Sequence, residues 1–229
     1  MNSLDLIAEI ILISSLGVLS PGPLFFANLI YGSKSGFRAG IKIALGHTIV
    51  EFPLIVLIAF GLSEFSSPFL THESLRPIGL VGGSAIIFFS ISQMIEILRT
   101  RRKNVSNNIE RLDSNSHFLY KWNKRLVSLK GPIVIGIIFS SLNPFFIGWW
   151  LTVGLKLISD SIALFGTILG AVFLFSFHIW MDYVWLGATS YMMHKGRSIL
   201  QTKFFQLFLL SISFILAFFG FYIITINLP

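Results

Sequence analysis

The sequence predicts an all-α, polytopic membrane protein: six transmembrane helices arranged as a 3+3 inverted repeat, with the first and fourth helices broken. Three observations lead there. Of 229 residues, 54% are apolar and only 12% charged, and the mean hydropathy is +0.80. Six apolar runs are long enough to cross a bilayer, whose core of about 30 Å needs about 20 residues of helix. Proline interrupts the first and fourth runs at matching places. A soluble domain carries about a quarter charged residues, so half that share cannot coat a globule of this length. Disordered, collagenous and disulfide-framework classes fail on composition. Without cysteine, thiol redox chemistry, Fe–S clusters and cysteine zinc sites are excluded.

The runs are Leu6 to Ile30, Ile41 to Leu62, Ile78 to Leu98, Ile133 to Leu155, Ile162 to Leu186 and Phe204 to Ile226. All exceed the roughly 10-residue alternating strands of a membrane barrel, so they are helices. In the first run, Ser20-Pro21-Gly22-Pro23 precedes Phe25-Phe26; in the fourth, Leu142-Asn143-Pro144 precedes Phe145-Phe146. Proline removes a donor and clashes with the carbonyl four residues back. Pro21 and Pro23 are expected to release the carbonyls of Gly17 and Leu19, and Pro144 that of Ser140. Opened helices at matching positions of two halves point to a binding site. In the second run Pro53 is expected to free the carbonyl of Ile49, either as a plain kink or to help bind an ammonium group or a cation. Gly32, Gly36 and Gly40, spaced by four, are expected to let helices approach closely, as are Gly79, Gly82 and Gly83. Trp149 and Trp150 fit either an interfacial belt or an aromatic wall facing a bound molecule.

The second and fifth runs carry the charge of interest. His47 precedes Glu51 by four residues, and His178 precedes Asp182 by four, so each pair shares a helix face. These are the equivalent helices of the two halves. A carboxylate at mid-membrane costs about 3 kcal/mol. Two such pairs suit a proton relay through His47, Glu51, His178 and Asp182; the bland reading is a structural His–carboxylate bond. Glu51 is expected near mid-helix and Asp182 nearer the cytoplasmic end.

Fifteen of the 17 basic residues fall in the connectors after the first, third and fifth runs. Arg76 and Lys156 are the exceptions. Positive loops stay cytoplasmic, which places both termini outside, and the basic loop is suited to anionic lipid heads. The net charge of +7 therefore reads as topology, and no nucleic-acid partner is expected. The first residues carry Asp5 and Glu9 and no basic group, unlike a cleavable signal. Residues 1–98 and 131–229 form the two expected repeats, joined by a basic cytoplasmic linker over 99–130.

These residues resemble the LysE/RhtB amino-acid exporter family. The resemblance rests on Ser20-Pro21-Gly22-Pro23, on Gly36-Phe37-Arg38-Ala39-Gly40 through Gly46-His47, and on Leu142-Asn143-Pro144. It implies a small exporter in the cell membrane, a homodimer, driven by protons and carrying amino acids outward without a bound cofactor. It carries Pro21, Gly22, Pro23, Asn143 and Pro144 over as the substrate site, to which the aromatic-wall reading adds Trp149. Many members have a lysine directly after Asn-Pro; here Phe145 stands there, which leaves the cargo open. The alternative is a divalent metal exporter that uses the two His/carboxylate pairs as nitrogen and oxygen ligands; no resident metal is expected. Neither a His-Glu-x-x-His nor a Gly-x-Ser-x-Gly pattern nor a phosphate loop occurs, so no enzyme activity is expected.

Overall fold

The computed structural model describes residues 2–20, 22–64, 72–102, 131–195 and 203–228. The described residues are helical throughout, without a strand. The helices are α1 (Ser3–Val18), α2 (Pro23–Ser35), α3 (Phe37–Glu64), α4 (His72–Arg102), α5 (Pro132–Ser141), α6 (Pro144–Trp149), α7 (Leu155–Phe165), α8 (Thr167–Lys195) and α9 (Lys203–Asn227). A π-helical turn over Trp150–Gly154 joins α6 to α7.

Local chemistry sets the helix ends. Asn2 and Asp5 cap α1 reciprocally, satisfying two donors that the first turn leaves free. Proline stands at the first position of α2, α5 and α6, where no backbone donor is missed. Gly36 and Gly166 end α2 and α7 with φ of 59° and 78°, a left-handed conformation that costs glycine nothing.

Four stretches are long and apolar enough to cross a membrane: Phe37–Glu64, Pro144–Phe165, Thr167–Lys195 and Lys203–Asn227. Taken together, α1 and α2, bent by 71°, make a fifth. Large apolar side chains such as Leu57, Val81, Phe88, Leu169 and Phe218 point outward, as lipid contact requires and water would penalise. The chain is a multi-pass membrane protein.

Several expectations are corrected. The turn between the fourth and fifth runs lies at Gly166, not around Lys156, because helix continues from Pro144 to Phe165. Lys156 lies within that helix, its exposed ammonium paired with Glu9 and, at 2.8 Å, with Asp160. The carbonyl of Ser140 is not released: it accepts from the Asn143 N–H at 3.2 Å, and that of Gly17 accepts from Ser20 N–H at 3.1 Å. Neither Trp149 nor Trp150 lies in an interfacial belt; they are 4% and 1% exposed. Gly36 is a turn residue as well as a packing one: its φ is 59°, and a Cβ there would lie 3.2 Å from the His194 ring. Pro21 and residues 103–130 lie outside the described residues.

The two halves interlock. α3 packs on α8 and on α5, α2 packs on α8, and α4 packs on α9. Glycine makes the crossings close: a Cβ on Gly40 would overlap the Leu186 carbonyl, one on Gly46 that of Ile133, and one on Gly136 that of Ile43. Asn28 pins α2 to α8, its amide donating to Leu186 O and Thr189 Oγ1 (both 2.9 Å) and accepting from Ser190 Oγ at 2.8 Å. Close backbones and a satisfied polar clasp favour a single arrangement of these helices.

Candidate functional site

Because α3 and α8 cross closely, their two His-x-x-x-carboxylate faces meet. The four side chains form a ring. His47 Nε2 is 3.3 Å from Glu51 Oε1, which is 3.0 Å from His178 Nε2; that nitrogen is 3.2 Å from Asp182 Oδ2, and Asp182 Oδ1 is 3.8 Å from His47 Nε2. All four residues are buried. Glu51 and Asp182, expected at different depths, contact the same two imidazoles.

Hydrogen bonding makes the members unequal. Ser140 Oγ lies 2.6 Å from Gly136 O, which can only accept, so its one proton goes there. His47 Nδ1, 2.6 Å from Ser140 Oγ, must then donate, and the imidazole presents Nε2 to the carboxylates. His178 Nε2–H donates to Glu51 Oε1. That direction leaves Asp182 Oδ2 at ion-pair distance but without a hydrogen bond, and His178 Nδ1 has no partner. Trp150 Nε1–H also donates to Glu51 Oε1, at 3.2 Å, while Glu51 Oε2 has no partner. Two buried carboxylate oxygens thus lack a donor, which is costly in a dry interior.

These groups line a cavity of about 70 Å³, room for on the order of five waters. Both helix breaks open onto it. Gly22 lines it as the N-cap of α2, and a Cβ there would lie 3.8 Å from Asn143 Nδ2. Asn143 lines it as well, but its side chain is engaged: Oδ1 accepts from Phe145 N–H at 3.1 Å and caps α6. The N-terminus of α2 has no side-chain cap. Trp149 forms part of the wall, its indole against Gly17, and stands edge-on to Trp150 with centroids 5.0 Å apart.

Of the residues expected to bind substrate, Gly22, Asn143 and Trp149 line the cavity. Pro23 and Pro144 do not; they start α2 and α6, and Pro144 is exposed. Sequence reasoning missed the roles of Trp150 and Ser140. Both tryptophans line the cavity, and nothing local tells which of the two donates to Glu51. The signal for Ser140 is weak: a small hydroxyl residue one turn before the Asn-Pro break. Also missed is Gln93 of α4, whose amide donates to Ser20 Oγ at the first break at 3.1 Å. As for ions, donor atoms of His47, Glu51 and Asp182 lie within 4.8 Å of one another.

A family model described as LysE type translocator matches residues 15–226, nearly the whole chain. No curated protein and no solved structure matches.

Proposed function

Since the chain belongs to the LysE type translocator family, whose members are transporters and not enzymes, we propose that it exports amino acids or close derivatives in exchange for protons. The observation that carries this reading is a pair of buried carboxylate oxygens without a hydrogen-bond donor, Glu51 Oε2 and Asp182 Oδ2, the latter in ion-pair contact with His178, in a cavity onto which both helix breaks open. An ammonium group supplies the donors those oxygens lack. The uncapped N-terminus of α2 at Gly22 offers backbone N–H groups and the positive end of a helix dipole to a cargo carboxylate. Ammonium and carboxylate are thereby received by different groups lining one small cavity.

Protons enter by charge balance. Two carboxylates buried in lipid are tolerated when two positive charges accompany them. Protons on the ring supply these charges when cargo is absent, and the cargo ammonium displaces one when it binds. His47 and His178 hand protons to Glu51 and Asp182. The halves over 1–98 and 131–229, three spans each, rock about the ring to expose it to either side in turn. The basic loops face the cytoplasm and both termini lie outside; the working unit is a homodimer.

The test is a screen. Purified protein is reconstituted into vesicles loaded with mixed amino acids, a pH gradient is imposed, and the solutes that leave are identified. Export of one or a few, lost in Glu51→Gln and in Asp182→Asn that still insert and fold, is the expected result. Undiminished efflux through the double variant would falsify the relay.

A further inference from the structure

The ring has the donor chemistry of a metal site; metal binding stands apart from the export reading, whereas exclusion of cargo rests on it. We propose that His47 Nε2 and the carboxylates of Glu51 and Asp182 bind a divalent first-row transition-metal ion, and that the ion excludes the ammonium cargo.

His47 is oriented as a metal ligand is oriented. Its Nδ1–H is donated to Ser140 Oγ, which is locked in turn on Gly136 O. Ligating histidines almost always give their second N–H to such a partner, which fixes the ring and the tautomer. Spacing agrees. Two ligands of a tetrahedral ion at about 2.1 Å from the metal are about 3.4 Å apart. His47 Nε2 is 3.3 Å from Glu51 and 3.8 Å from Asp182, and donor atoms of all three lie within 4.8 Å of one another. Glu51 Oε1 is already supported by Trp150 and His178, while its Oε2, in a residue 1% exposed, has no partner. The adjoining cavity has space for a fourth ligand, and two carboxylates neutralise a dication, which burial in lipid demands. Imidazole and carboxylate donors suit Zn²⁺ or Co²⁺ better than a soft ion.

The test uses full-length, tag-free protein in detergent, stripped with a chelator and exchanged into chelator-free buffer. Co²⁺ is added while the visible d–d bands are recorded, and Zn²⁺ binding is followed by calorimetry. One ion per chain is expected, with the intense bands of a four-coordinate site. Asp182→Asn and His47→Gln, checked for folding by gel filtration and helical content, should each weaken binding at least about tenfold. Glu9→Gln, in the ion pair with Lys156 away from the ring, should not. Absence of stoichiometric binding, the weak bands of a hydrated ion, or equal affinity in Asp182→Asn would overturn the proposal; the wild-type spectrum alone decides if a variant does not fold. In loaded vesicles, Zn²⁺ should block efflux. Efflux untouched by saturating Zn²⁺ would defeat the exclusion, whereas tight binding by a chain that moves no amino acid would leave the metal site standing and remove the export reading.

Discussion

The two halves carry the same motifs and use them differently. At the first break, Gly22 leaves the N-terminus of α2 without a side-chain cap; at the second, Asn143 closes the N-terminus of α6 with its own oxygen. In the first half His47 is pinned by Ser140; in the second, His178 has an unpartnered Nδ1. Glu51 collects donors from Trp150 and His178, whereas Asp182 has close nitrogens but no aligned hydrogen bond. Two similar motifs thus yield one firmly held half-site and one looser one. Under the export reading, the open helix end receives cargo, and the looser imidazole and carboxylate are free to change partners during a cycle.

The contrast is broken most severely at Glu51. Glu51→Gln removes the negative charge on which His47, His178 and Trp150 converge and puts an amide donor among them. It should abolish proton-coupled efflux and cost about 3–5 kcal/mol of stability, since breaking a buried ion pair strands its partner. Asp182→Asn should also stop efflux but cost less in unfolding measurements, because no aligned hydrogen bond is lost. Equal stability losses would erase the proposed inequality of the carboxylates.

A smaller effect is expected at Ser140. Ser140→Ala leaves the buried His47 Nδ1–H without an acceptor, at about 1–3 kcal/mol. It should slow efflux, while Ser140→Thr, which keeps the hydroxyl, should restore it; thermal unfolding and initial efflux rates read both. An alanine variant with unchanged rate and stability would mean that pinning His47 has no consequence.

The breaks come next. Asn143→Ala removes a helix cap and should cost about 1 kcal/mol, with modest loss of transport. Gly22→Ser does the opposite, giving the first break the cap it lacks. With φ at −80° and a Cβ position 3.8 Å from its nearest neighbour, serine fits, and a gain of a few tenths of a kcal/mol is expected. Cargo affinity should fall nonetheless, because the serine oxygen occupies the N–H groups assigned to the cargo carboxylate. Unchanged apparent affinity in Gly22→Ser would remove α2 from the binding site.

Much of this was legible because it is local. Proline at positions 23 and 144 starts a new helix after a break, although Pro53 stays inside α3, and a spacing of four puts His47 beside Glu51 and His178 beside Asp182 on any helix. The failures arise where a neighbour decides. Ser140 keeps a partner for its carbonyl because the chain tightens around Asn143, a response that proline chemistry alone does not specify. The helix runs on through Lys156, whose exposed ammonium pairs with Glu9 of α1 and with Asp160 of its own helix, contacts that hydropathy does not register. Trp150 turns inward because the π-helical turn shifts the register and Gly154 leaves room for its ring, where a Cβ would collide with the indole.

What the sequence determined alone is the solvent and the parts: a chain too apolar for water, helices of bilayer length, two breaks, and two acid–imidazole couples. Backbone hydrogen bonding and side-chain periodicity act within a turn or two, so these features survive any packing. That the couples, 127 residues apart at Glu51 and His178, close into one ring with an indole and a serine hydroxyl was decided by tertiary structure. The reason is distance: the crossings at Gly40, Gly46 and Gly136 bring backbones from the two halves into contact, and hydrogen bonds between helices form only over the few ångströms those crossings leave.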